Sequence, residues 1–541
     1  MDESNFTSPF GEKRNVSIKR EQSQACLNLA ERQKRLMELN VSGSESKAGL
    51  AGICRIAKKR LMELQSLKFI SSIWPEGLSL LSMKTGVMQL PIIVLLLSAC
   101  VKGYDDEWTF SSGVEGVTLE SPKAEDVTFT PSADGSTVKV AWPVVYGAGG
   151  YQFSLYIVDD PSNPVLVGVE NEFIDGCFAT RSLLEDTRYK VVLKSLGNEK
   201  SDNKEASSAT EITYSTLLAA TVIPDGADLA QYFANNPIVD PGTEIAYELE
   251  GGGTYTMSGE VNFGIANVTF RGNKVNRPTV TLSAGFKSQG GGTKFKFINF
   301  DCANIPVDAM FYGFNNIPEG STLVNNAVLV ANPIVFQSCN FNALPVPLYW
   351  DNGKNYVPYT LLIKDCVAEM KNNGRVIRNS ASNGGIKDFT VINSTFYKNN
   401  TGTDYWMQLS GARLENFGFP TGGQTYLNCT FYGFDRMHNS NNYSRPGIYV
   451  TVENCIFLEM LRDQTARYIL PSNNINNKTL TYENNTYWRL GAAENYGSYD
   501  KSGTTLDEDP LCANPAGGDF TVGNPNTISR GIGDPRWLSV Q

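Results

Sequence analysis

The sequence holds one histidine in 541 residues, His438. That scarcity excludes a Ser-His-Asp network anywhere but at that position, and any zinc site built on two histidines. Charge is modest at 19% of residues, and 46 Lys+Arg stand against 56 Asp+Glu, a net −10. An acidic balance excludes wholesale nucleic-acid binding, which needs a basic surface to displace counterions. Long apolar runs are nearly absent. The single one, residues 87–99, has 13 residues; as a helix it spans only ~20 Å, short of a ~30 Å hydrocarbon core. With 41% hydrophobic residues the chain still buries real cores, and global disorder is excluded. Abundant Gly (49), Tyr (24) and Phe (27) lean toward β structure.

The apolar run has a layout of its own. Residues 83–100 read Met-Lys-Thr-Gly-Val-Met-Gln-Leu-Pro-Ile-Ile-Val-Leu-Leu-Leu-Ser-Ala-Cys. A basic start at Lys84, an apolar middle and a small-residue end form a secretory signal. Leu97-Ser98-Ala99-Cys100 resembles a bacterial lipobox. The resemblance implies lipidation of Cys100, which becomes the first mature residue, and an outer-membrane lipoprotein. The acids Asp105, Asp106 and Glu107 begin five residues after the cysteine. They resemble in part the export signal of surface-exposed lipoproteins in some Gram-negative gut bacteria, so cell-surface exposure is expected.

A signal belongs at an N-terminus, yet 82 residues precede Met83, with 13 Lys+Arg and 9 Asp+Glu. Patches at 27–38 and 55–67 suit short basic amphipathic helices, as in a nucleic-acid or membrane-surface arm. The alternative, taken as the expectation, is that translation starts at Met83 and 1–82 is a non-native or disordered extension. The signal then covers 83–99, and a mature chain of 442 residues carries 32 basic and 47 acidic groups, net −15. Residues 100–120 are expected to be a tether.

Residues 121–216 alternate over strand lengths, as in Val138-Lys139-Val140-Ala141-Trp142 and in 151–158, with a turn cluster at 159–164. Leu184-Glu-Asp-Thr-Arg-Tyr189 resembles the tyrosine corner of a fibronectin type III domain, with Trp142 as core tryptophan. The resemblance implies a small β-sandwich serving as a spacer.

From 217 to 541 the pattern changes. A short helical stretch at 222–235 places Leu229, Tyr232 and Phe233 on one face. It is followed by Gly252-Gly253-Thr254-Tyr255 and Asn267-Val268-Thr269-Phe270-Arg271-Gly272. This order resembles the start of pectate-lyase-like right-handed parallel β-helices, whose first helix caps the open end of the coil. Internal repeats agree. A strand, a polar residue, a small residue and an apolar residue recur with the small position at 302, 339, 366, 394, 429, 455 and 485. The steps are 37, 27, 28, 35, 26 and 30. A solenoid whose loops vary freely tolerates such scatter. At ~4.8 Å per coil, about eight coils make a rod on the order of 40 Å. The repeat gives Cys302, Cys339, Cys366, Cys429 and Cys455 one stacked column of buried, free thiols. The neighbouring Asn393, Asn428, Asn454 and Asn484 suit stacked tight turns. Residues 509–521 and 531–537 resemble the last coil of β-helical surface lipoproteins from polysaccharide-utilisation loci, families largely of unknown function. The fold class is thus all-β: a fibronectin type III-like sandwich, then a right-handed parallel β-helix with an N-terminal capping helix.

The resemblance to β-helix carbohydrate proteins implies glycan binding along one parallel face. Candidate carbohydrate-binding residues are Tyr349, Trp350, Tyr405, Trp406 and Arg375, because flat rings suit sugar C–H faces. The longest steps, 302→339 and 394→429, are expected to carry inserted loops holding Phe311, Tyr312, Phe314 and Asp404-Tyr405-Trp406. A polysaccharide lyase would use Lys364 or Arg378 as base, with Asp351, Asp365 and Glu369 as Ca²⁺ ligands, chemistry that needs no histidine. His438 is expected in a loop. Three readings stand: a surface lipoprotein binding pectin-like or other acidic polysaccharide, a β-eliminating lyase on a uronate-containing glycan, and a structural or adhesive rod. The partners expected are polysaccharide and the outer membrane through the lipid, not nucleic acid, and the chain is expected to be a monomer.

Overall fold

The computed structural model describes residues 113–538, apart from 372–374, 400–404, 410, 412–413, 439–447 and 470–478. The extension, the signal, Cys100 and Asp404 lie outside the described residues. Phe110–Gln541 is one compact unit.

The sandwich pairs a three-stranded sheet (Thr128–Pro131, Thr137–Ala141, Phe178–Ser182) with a four-stranded one (Val165–Ile174, Gly150–Ile157, Arg188–Leu196, Thr210–Ser215). Strict alternation in Arg188–Leu196 buries Tyr189, Val191 and Leu193 and leaves their neighbours part-exposed, as a half-buried strand requires. Trp142 packs between Tyr151 and Phe153. The Tyr189 hydroxyl accepts from the Leu184 amide at 2.6 Å, closing the expected corner. Residues 114–120 do not run free as tether: Gly116 and Leu119 hydrogen-bond to Ser201 and Lys204, and Leu119 is buried.

The strand Ala220–Ile223 leaves the sandwich and starts the solenoid by pairing in parallel with Ile245–Leu249. The helix Leu229–Asn235 then caps the open end. Asp228 caps it by accepting from the Gln231 amide, and Leu229 and Phe233 enter the core. Coils contribute strands to three parallel faces, of which the third is the shortest among the described residues. Face I runs from Ala220–Ile223 through Ile245–Leu249 to Thr479–Glu483, and face II from Thr254–Met257 to Thr486–Arg489. Face III runs from Val261–Asn262 through Tyr312–Phe314, Tyr349–Trp350, Ile377–Asn379 and Tyr405–Leu409 to Arg436–His438. The interior is columnar. Phe396, Phe431, Phe457 and Tyr487 stack in register with centroids 5.2–6.1 Å apart.

Between faces I and II the chain turns sharply through a residue at positive φ: Asp365, Asn393, Asn428, Asn454 and Asn484 all lie between 49° and 55°. Asn tolerates this left-handed geometry. Each Asn amide also donates to the residue one coil back, Asn393 to Asp365, Asn428 to Asn393, Asn454 to Asn428 and Asn484 to Asn454, at 2.6–3.0 Å. The next residue inward forms the buried column. Cys339, Cys366, Cys429 and Cys455 are free and solvent-excluded, each thiol 3.1–3.6 Å from two backbone carbonyls. Cys302 is not in this column. Strand Asn299–Asp301 pairs Asn299 with Asn340, so Ile298 is the equivalent of Cys339 and Cys302 follows the strand. Cys302 is nevertheless buried and free.

The C-terminal segment adds no coil, contrary to the expectation. A short antiparallel strand, Ala492–Ala493, ends face II. Residues 505–538 then fold back over its outside. Leu506, Val522 and Ile532 pack on Ile456 and Leu458, and Phe520 on Tyr397 and Tyr432. The strap is pinned at Asp534, whose carboxylate accepts from Thr395 Oγ1 and whose amide donates to Thr430 Oγ1.

The sandwich is bolted to face I by ion pairs rather than hung as a loose spacer. Lys296 meets Asp186 at 2.5 Å, Lys274 meets Asp159 at 2.8 Å, and Glu248 bridges Arg188 and Arg271.

Candidate functional site

On face III the outward positions bring aromatic and cationic side chains into register. Pairing of successive strands aligns Asn262, Lys287, Gly313, Trp350, Arg378 and Gln408 in one outward column. Gly313 is obligatory, since a Cβ there would lie 2.1 Å from the Trp350 carbonyl oxygen. The Arg378 guanidinium lies 4.1 Å from the Trp350 ring centroid. Beside this pair, Tyr405 takes Arg375 from the preceding coil at 5.6 Å and Arg436 from the following coil at 4.5 Å. All five side chains are half-buried. Such cation–π contacts strengthen as water is removed.

The cations are not equivalent. Asp435, 3% exposed, pairs with Arg436 at 3.2 Å and Arg462 at 2.8 Å. Lys287 pairs with Glu260. Among the described residues Arg375 and Arg378 form no ion pair, and the buried Nε of each lacks a hydrogen-bond partner. Burial, reinforced by the nearby Arg375, lowers the pKa of Arg378, with Asp351 opposing. Two guanidinium groups with unused donors on an outward face are poised for an anion, which a planar fork binds in bidentate fashion.

The structure sorts the sequence candidates sharply. Trp350, Tyr405, Arg375 and Arg378 come together on face III. Tyr349 and Trp406 do not, because both are fully buried. Trp406 packs against Phe396 and Phe431 inside the coil, and its Nε1 donates to the Tyr426 hydroxyl at 3.2 Å. Phe311, Tyr312 and Phe314 are core residues too, not loop aromatics. Lys364 ends a strand of face I, so it does not share a face with Arg378.

The three proposed Ca²⁺ ligands are dispersed. Asp351 is buried in the turn after face III, Asp365 belongs to the turn ladder between faces I and II, and Glu369 on face II pairs with Lys371 at 2.6 Å. Among the described residues no three acidic, cysteine or histidine side chains are grouped to hold a metal ion. His438 is no loop residue. It lies in the last strand of face III, opposite Met407, and is 4% exposed. Arg436 was missed because only its pairing with Tyr405, 31 residues earlier in the chain, places it on the strip.

Comparison with known proteins adds fold-level likeness. Three domains of unknown function match successive parts of the chain: DUF4992 over residues 78–255, DUF4957 over 253–399 and DUF5123 over 425–537. No curated protein matches. Among solved structures, an Fn3-like protein from Clostridium thermocellum is similar at 17% identity, covering 19% of this chain and 99% of its own, with TM-score 0.14. A pectate lyase from Pectobacterium carotovorum is similar at 12% identity, covering 62% of this chain and 91% of its own, with TM-score 0.16. A pectate lyase from Erwinia chrysanthemi, solved in complex with tetragalacturonic acid, is similar at 8% identity over 61% of this chain and 84% of its own, with TM-score 0.15.

Proposed function

We propose that this chain binds an acidic polysaccharide along face III, without cleaving it, as a lipoprotein held at the outer surface of the cell through Cys100. The observation that carries the binding reading is the pair Arg375 and Arg378. In a chain of net negative charge they lie on aromatic faces, and among the described residues no acid is committed to them. Aromatic faces accept sugar C–H groups, and the guanidinium edges accept carboxylate or sulfate. Trp350, Arg378, Tyr405 and Arg436 come from four successive coils, which at ~4.8 Å per coil extend the strip by about 14 Å, room for several sugar units. Binding is favoured over elimination because the candidate metal ligands Asp351, Asp365 and Glu369 are dispersed, and Lys364, one of the two candidate bases, lies on face I away from the strip. The lipoprotein reading rests on the residues at 83–100, which the match to DUF4992 spans.

The test is affinity electrophoresis of the soluble 101–541 fragment in gels containing polygalacturonate, a sulfated glycan or a neutral glycan. Retardation by an acidic gel, relieved by salt and weakened in Arg378→Ala, is expected. Equal mobility in all gels refutes the binding reading, and release of unsaturated uronate refutes its non-catalytic part. Mass measurement of the native protein tests the anchor: a species beginning at a lipidated Cys100 is expected, and one retaining Arg20 or Lys59 overturns it.

A further inference from the structure

We infer that Ser380, itself held by Asp351, is a positioning residue that sets the plane of the Trp350 indole on which Arg378 lies. The role in recognition rests on the reading of face III as a glycan site; the geometry does not. Asp351 directly follows Trp350 in the chain and is fully buried. Its carboxylate points into the equivalent turn of the next coil. Oδ1 accepts from the Gly353 amide at 3.0 Å, the Ser380 amide at 2.9 Å and Ser380 Oγ at 2.9 Å. Oδ2 accepts from Asn379 Nδ2 at 2.6 Å, the Ser380 amide at 2.8 Å and the Ala381 amide at 2.8 Å.

The consequence lies in the serine hydroxyl. A hydroxyl has one proton to give and lone pairs to receive. Ser380 gives its proton to Asp351, so toward the strip it can only accept. The group it faces is Trp350 Nε1, which only donates, at 2.8 Å. Donor and acceptor are thereby matched in one direction. The indole, half-buried and otherwise free to turn about two side-chain bonds, is locked by a bond across coils.

Arg378 lies two residues before Ser380, on the same strand and turn. One turn therefore presents the guanidinium from above the ring and the hydroxyl at its edge. The cation and its platform cannot drift apart. A buried acid that looks like a metal ligand in the sequence is, in this arrangement, the foundation of an aromatic–cation pair.

The test reads Trp350 directly, as the emission of the full chain minus that of the same chain carrying Trp350→Phe. In Ser380→Ala the difference spectrum is expected to move to longer wavelength with lower anisotropy. The Kd for polygalacturonate is expected to rise about five-fold, the loss of one hydrogen bond. Ser380→Thr, which keeps the hydroxyl, is expected to restore both. A purely structural role for the turn would lower the melting temperature and leave the Trp350 difference spectrum unmoved, and that result overturns the inference. A changed spectrum with unchanged Kd supports the positioning of Trp350 and overturns its role in recognition. If the wild-type chain binds no acidic glycan, the glycan reading falls, whereas the Trp350 spectrum still decides the positioning. Should Ser380→Ala not fold, Ser380→Cys keeps the volume, weakens the acceptor and gives the same readout.

Discussion

Asp534, in the strap that closes over face II, should contribute stability in mild acid that is lost at neutral pH, and one substitution isolates the contribution. Asp534 is 1% exposed. Burial pushes its pKa from the usual 3.8 up to about 6; Arg536, Thr395 and the Arg536 amide pull the other way, and Asp365 adds to the rise. The displacement of roughly two units corresponds to ~3 kcal/mol, at about 1.4 kcal/mol per unit. Because the folded pKa lies above the unfolded one, the contribution is complete below about pH 4 and is lost as pH rises through about 6. Asp534→Asn keeps the shape and removes the titration. Denaturant unfolding of both proteins from pH 4 to 8 should therefore give a difference that swings by ~3 kcal/mol toward the wild type on acidification. Trp537 supplies a local probe, since its Nε1 donates at 2.8 Å to Thr395 Oγ1, the group that donates to Asp534. A difference flat across this range would mean that Asp534 titrates like an exposed acid, and that the strap does not bury it.

Three further outcomes follow from the packing. Phe431→Ala, in the middle of the ring stack and fully buried, should cost ~3–5 kcal/mol in urea unfolding; a loss below about 1 kcal/mol would show that the stack does not exist as described. Lys296→Ala leaves Asp186 buried without its partner and should destabilise the protein by ~3–5 kcal/mol, an effect that Lys296→Ala with Asp186→Ala largely relieves; equal losses in single and double variants would refute the pairing. Thiol titration without reductant should leave Cys302, Cys339, Cys366 and Cys429 unreactive in the native protein, because burial raises their pKa. All four should react after unfolding, and a disulfide among them would contradict the register.

Much of this architecture was legible because a solenoid repeats its constraints. A left-handed turn residue followed by a small buried one leaves Asn-Cys or Asn-Ser every 26–35 residues through the later coils, and the capping helix and tyrosine corner have local signatures. The failures are equally physical. Phe300-Asp301-Cys302 imitates the repeat, but the turn there is built from Phe297 at positive φ and Ile298. Inside and outside were misjudged at the corner before face III, where Val346, Pro347, Leu348 and Tyr349 are all buried. The strands Tyr349–Trp350 and Tyr405–Leu409 are too short to show a period of two in the sequence, so Tyr349 and Trp406 looked as available as Trp350 and Tyr405. The strap was unreadable as such, since its apolar residues fit an outer face as well as a core. The pairing of distant coils, which places Arg436 on the strip and Asp351 beneath it, has no expression in any local window.

The strip's composition yields a last prediction about its charges. On face I the cations at the N-terminal end, Arg271 and Lys296, are committed to acids of the sandwich junction. On face III Arg436 already shares Asp435 with Arg462. Removing Arg436 leaves Asp435 paired with Arg462, so the cation lost is one already committed to an acid. Removing Arg378 subtracts a charge that has no ion pair among the described residues, and the cation resting on the Trp350 ring. Salt weakens attraction between exposed charges, so the two variants should separate in a salt series. Arg378→Ala should bind polygalacturonate more weakly at low salt and lose much of the salt sensitivity of the wild type, while Arg436→Ala should keep most of both. If the two variants behave alike, the paired and unpaired arginines act as one diffuse basic patch, and the assignment of anion recognition to the Arg375 and Arg378 edges is wrong.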